Sequence, residues 1–90
     1  MLREKKHILE IIKDGRTAAE DLNETSLKEN ILGHFSVIEK MLEQDLYIEE
    51  LEYLSRQLMI GVKEALCFKD MQILIQVETS VRNNISRLNE

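Results

Sequence analysis

Asp45-Leu-Tyr-Ile-Glu-Glu-Leu-Glu-Tyr-Leu-Ser-Arg-Gln-Leu-Met-Ile-Gly-Val-Lys-Glu-Ala-Leu-Cys-Phe68 is the stretch whose reading decides the fold. Ile48, Leu51, Leu54, Leu58, Val62 and Ala65 recur every three or four residues, which places them on one face of a helix. Asp45 stands where a side chain can cap the first free amides, and Glu49, Glu50 and Glu52 complement the positive end of the helix dipole. Tyr47, Tyr53, Met59, Ile60 and Leu66 form a second apolar stripe. A helix this apolar calls for cover on more than one side, so the stretch predicts the central helix of a bundle.

The composition agrees with helix. The 90 residues contain no proline and three glycines, and aromatic residues make up only 4%. Such a chain suits one small domain with an aliphatic core, burying about 60–65% of its extended-chain surface. The formal net charge is −5 and the pI about 5.1. Phosphate recognition needs clustered Lys and Arg, so nucleic acid is not an expected partner. The longest basic run, Arg3 to Lys6, is interrupted by Glu4. Cys67 is the single cysteine, which rules out an internal disulfide and points to a reducing cytoplasm. The apolar run after Lys5 and Lys6 is broken by Glu10, too soon for a signal peptide. Ile31 to Ile38 is the longest uncharged run, far short of a membrane span.

Working outward from the central stretch, the chain reads as helices over about residues 2–22, 27–44, 46–67 and 71–88. In the first, Ile8, Leu9, Ile11, Ile12, Gly15, Ala18, Ala19 and Leu22 share a stripe. Asp14-Gly15 is a competing stop signal, with Thr17-Ala-Ala-Glu20 able to cap a second piece. Because the apolar register survives across Gly15, one helix with a weak point there is favoured. Ser26-Leu-Lys-Glu29 has capping-box spacing, and Leu27, Ile31, Phe35, Ile38, Met41 and Leu42 form the next buried face. Gly33 and Gly61 lie inside helices, where close approach of a neighbour would compensate their low propensity. A turn at Gln44-Asp45 predicts that the second and third helices form an antiparallel hairpin; the alternative is one fused rod, which Asp45 opposes. Asp70 caps the last segment, where Leu74, Val77, Val81, Ile85 and Leu88 keep helical spacing. Met71, Ile73, Ile75, Val77, Thr79 and Val81 also alternate by two, as in a strand, but nothing else offers a strand to pair with. The expected fold is all-α, a four-helix antiparallel bundle of up-down-up-down type.

Catalytic and metal-binding patterns are sparse. Glu4-Lys-Lys-His7 has the spacing of one half of a di-iron site, yet Ile31 precedes His34 where the second glutamate would stand. An exposed helix histidine is the plainer reading for both. Cys67 has Lys63 and Lys69 nearby in sequence, although a small buried residue at the end of a core helix is the preferred reading. Ser55 and Ser80 lack a histidine and acid at recognisable spacing, and there is no phosphate-binding glycine loop. Neither an enzyme, a cofactor nor a metal is expected.

Leu51-x-x-Leu54, Leu66-Cys67-Phe68-Lys-Asp, Leu74-Ile75 and Val81-Arg82 together resemble the last two helices of the intracellular immunity proteins that protect producers of pediocin-like bacteriocins. Members of that family are often basic, whereas this chain is acidic. The resemblance implies a non-catalytic cytoplasmic four-helix bundle that stops a cognate bacteriocin from opening its membrane receptor, a sugar transporter. By location it implies a recognition surface that includes Lys69, Asp70, Arg82, Asn83 and Arg87. For Arg82 and Arg87, simple placement near a helix C-terminus is the competing account.

A second resemblance runs through Ile31-x-Gly33-His34, Lys40-Met41-Leu42-Glu43 and Tyr47-Ile48, which is similar to the copper- and nickel-sensing repressors of the CsoR type. Ile48 stands where that family has its first metal-binding cysteine, and the other ligands would fall near Ile73 and Val77. This resemblance implies a metal-blind oligomeric regulator. The immunity reading is the primary expectation and the regulator, or another adaptor or inhibitor bundle, the alternative. The surplus apolar face of the third helix leaves room for a homo-oligomer in either case.

Overall fold

Helices α1 (Arg3–Glu20), α2 (Thr25–Met41), α3 (Ile48–Phe68) and α4 (Gln72–Leu88) account for nearly all of the chain. The computed structural model describes residues 2–88, with side chains through Ile85, and no described residue lies in a strand. The protein is an all-α four-helix bundle measuring 41 × 23 × 18 Å. The helical alternative for Met71 to Val81 is therefore the one realised.

Each helix contributes one apolar row to a common core. Ile8, Ile12, Gly15 and Ala19 come from α1; Leu27, Ile31, Phe35 and Ile38 from α2. Leu51, Leu54, Leu58, Gly61 and Ala65 come from α3, and Leu74, Val77 and Val81 from α4. No polar or charged side chain among the described residues is fully buried. Burial of aliphatic side chains, about 1.5–3 kcal/mol for each one fully removed from water, is what holds the bundle together.

The packing order departs from the sequence expectation. The adjoining pairs are α1–α2, α2–α4, α4–α3 and α3–α1, so α2 and α3 lie across a diagonal and do not form a hairpin. Nor is α3 central; like every other helix it has two close neighbours. The connection between α2 and α3 explains this. Its Leu42 and Leu46 are buried, and Lys5 Nζ of α1 donates to the Gln44 carbonyl at 3.0 Å. These anchors draw the connection across the end of the bundle toward α1, where a free turn at Gln44-Asp45 would have placed α3 beside α2.

Local readings divide in the same way. α1 runs unbroken through Gly15, as the register favoured. The first residue outside α2 is Glu24 and outside α3 is Tyr47, neither with a side-chain capping bond, so the Ser26 capping box and the Asp45 cap are not formed. Asp70 does act as expected: its Oδ1 accepts the Gln72 amide at 3.0 Å. Of the glycines, Gly33 meets nothing; a Cβ there would have no neighbour within 4 Å. A Cβ on Gly61 would sit 3.2 Å from the Leu74 backbone nitrogen, and one on Gly15 only 2.7 Å from Phe35 Cζ. Close helix approach therefore applies at Gly61 and Gly15, not at Gly33.

Candidate functional site

The α3–α4 corner begins where α3 runs out of helical partners. Lys69 takes a left-handed conformation, φ 59°, and its amide bonds the Ala65 carbonyl while the Asp70 amide reaches back to Glu64. The Lys69-to-Ala65 bond is that of an αL helix cap, made here by lysine in a position that usually favours glycine. The turn leaves Phe68 68% exposed, the most exposed large apolar side chain in the described chain. Lys69 Nζ sits 3.1 Å from Glu24 Oε2, tying the corner to the start of α2. Both groups are largely solvated, so the pair contributes little stability.

Along α4, Ile75 is 49% exposed, and Thr79 and Arg82 continue its exposed row at helical spacing. Thr79 Oγ1 is turned back onto the Ile75 carbonyl at 3.0 Å. Arg82 bonds Glu78 Oε1 at 2.7 Å, one turn away, and Asn83 is exposed beside it. Of the five residues placed on a recognition surface by sequence, Lys69 and Asp70 share the corner and Arg82 and Asn83 share a turn of α4. The two pairs stand apart by about 18 Å of helix. The side chain of Arg87, like that of Leu88, lies outside the described residues.

A polar cluster that sequence reasoning missed lies on the neighbouring side of α4. His34 of α2 is not a solvated histidine; its Nδ1 contacts Glu78 Oε2, whose other oxygen holds Arg82. Glu78 is only 14% exposed and His34 23%, so the carboxylate bridges two helices from a half-buried position. No spacing rule reaches across the 44 residues between His34 and Glu78. Nothing local marked it, because α2 also carries Lys28, Glu29, Asn30, Ser36 and Glu39, and His34 reads as one more polar position among them.

Chemically the cluster offers a carboxylate held between a histidine and a guanidinium, with no nucleophile among its members. Among the described residues no three His, Cys, Asp or Glu side chains are grouped so as to hold a metal ion. His7 is exposed and shares a groove with Arg3, Glu4, Lys6, Glu10 and Ser55. A larger groove of about 540 Å3 joins Leu2, Leu9 and Leu42 to Glu43 and Asp45, and its Lys5 and Glu39 are engaged, by the Gln44 carbonyl and by Arg16. Cys67 is exposed, which corrects the expectation of a buried thiol. It falls on the outer side of α3, about half a turn round the helix from the buried Ala65.

No protein-family model, curated protein or solved structure matches the chain.

Proposed function

We propose that the protein acts without catalysis, by contact of the α3–α4 corner and the outer row of α4 with a protein partner. The observation that carries this reading is Phe68, 68% exposed on a turn fixed by backbone hydrogen bonds. An aromatic side chain held in water on a rigid corner is suited to insertion into a partner's pocket. Ile75, with Lys69, Asp70, Arg82 and Asn83 around it, extends that surface with a polar rim. In its specific form the proposal is a cytoplasmic immunity protein that shields a producer cell from a cognate bacteriocin, in keeping with the resemblance of Leu66-Cys67-Phe68 and Leu74-Ile75 to that family. No helix among the described residues is long and apolar enough to cross a membrane, so the contact would be made from outside the bilayer.

Expression in a sensitive bacterial strain tests the specific form. Tolerance to one bacteriocin of a panel should rise, and Phe68→Ser should abolish the gain while circular dichroism keeps its helical signal. Unchanged sensitivity to every bacteriocin in the panel, with the protein present in the cells, overturns the immunity reading.

A further inference from the structure

Lys69 is the only described residue with a positive φ, 59°. That conformation costs any side-chain-bearing residue more than glycine, because Cβ crowds the following carbonyl oxygen. Two favourable contacts accompany it, and both are weak in water. Lys69 Nζ meets Glu24 Oε2 at 3.1 Å, but the two side chains are 70% and 53% exposed. An ion pair so solvated returns little. The ammonium also lies at the C-terminal end of α3, where the helix dipole favours a cation, an effect that water and salt screen. Together these contacts do no more than offset the backbone cost, so glycine would serve the fold equally well. The lysine side chain has another use.

We propose that Lys69 is a specificity-determining residue of the corner, its ammonium taking a carboxylate of the protein partner that receives Phe68. The role rests on the reading of the corner as a contact site. Phe68 directly precedes Lys69 and is 68% exposed, so one turn presents a ring and a cation side by side. The Glu24 pair shows what the ammonium holds there, and with the side chain still 70% exposed its remaining N–H donors are open to a second carboxylate. Burial of that second pair beside the ring strengthens an interaction that is weak in water. The other charges within four residues of Phe68 are acidic: Glu64, partly exposed, and Asp70, whose Oδ1 accepts the Gln72 amide. They oppose a broadly acidic partner and restrict the match to a single carboxylate set against Lys69. The partner is therefore a protein surface with an apolar pocket bordered by one acidic side chain. A residue kept in a conformation that costs stability is a mark of such contact sites.

Three variants of the full chain separate the charge from the turn. Lys69→Gly and Lys69→Asn accept the left-handed conformation without a charge, and Lys69→Arg keeps the charge. Thermal unfolding followed by circular dichroism should show Lys69→Gly melting about 4 °C above the wild type. In a sensitive strain holding equal amounts of each protein, the bacteriocin tolerance conferred by the wild type should fall roughly tenfold with Lys69→Gly and Lys69→Asn, and persist with Lys69→Arg. A Lys69→Gly variant that melts no higher than the wild type overturns the proposal, because the lysine then serves the fold. Protection that is blind to all three substitutions overturns the role of Lys69 alone. No tolerance from the wild type against any bacteriocin of the panel overturns the immunity reading, and this role with it.

Discussion

Two glycines inside helices have opposite meanings in the fold. Gly33 is an exposed helix residue with open space where its Cβ would be. Gly33→Ala is expected to stabilise the protein by about 0.5–1 kcal/mol, through better helix propensity and a less flexible unfolded chain. Gly15 faces Phe35, which is fully buried and has nowhere to retreat. Gly15→Ala gains the same propensity but forces the Phe35 ring to move, at a cost of about 1–3 kcal/mol for overpacking, so net destabilisation is expected. Urea denaturation of both variants checks the pair: the midpoints should move in opposite directions. Sequence marked Gly15 as a weak point of its helix and assigned close approach to Gly33 instead, because propensity depends on the residue and close approach depends on a neighbour 20 positions away.

At the scale of the elements, the α2–α4 contact rests on Glu78 more than on its partners. Glu78→Ala removes the acceptor of both His34 and Arg82, leaving a half-buried histidine without its carboxylate. A loss of about 1–2 kcal/mol is expected from the unmet hydrogen bond. Arg82→Ala deletes only an exposed pair within one helix and should cost about 0.5 kcal/mol or less. Thermal melts of the two variants rank them, and equal losses would mean that the bridge to His34 contributes nothing. The corner between α3 and α4 was largely legible, since Lys69-Asp70 breaks the apolar register and Asp70 is a strong capping residue. The cluster beside it was not, because its members meet only when α2 and α4 pack.

For the whole molecule, burial separates the residues that make the fold from those free to make contacts. Leu58 is fully buried between helices, and Leu58→Ala is expected to cost about 2–5 kcal/mol, a large share of the stability of a domain this size. Ile60, two residues on, is 46% exposed, and Ile60→Ser should change monomer stability by about 0.5 kcal/mol or less. Urea denaturation should show that contrast. Comparable losses in the two variants would place the outer face of α3 in the folding core.

What the sequence by itself determined is the set of helices. Apolar spacing near 3.6 carried α1 through Gly15 and outweighed the alternating, β-branched character of Met71 to Val81, because Ile85 and Leu88 continue the helical period. These are decisions among near neighbours along the chain, and the residues that make them are all present locally. The tertiary structure alone decided which helices touch, setting α3 against α1 and α4 and away from α2. It decided too that Leu51, Leu54 and Leu58 face inward while Tyr53, Met59 and Ile60 stay in water. An apolar stripe states only that a surface is better covered. Which surface is covered follows from filling one shared core without voids, and Leu42, Leu46 and the Lys5–Gln44 bond set that arrangement by drawing the α2–α3 connection across the end of the bundle.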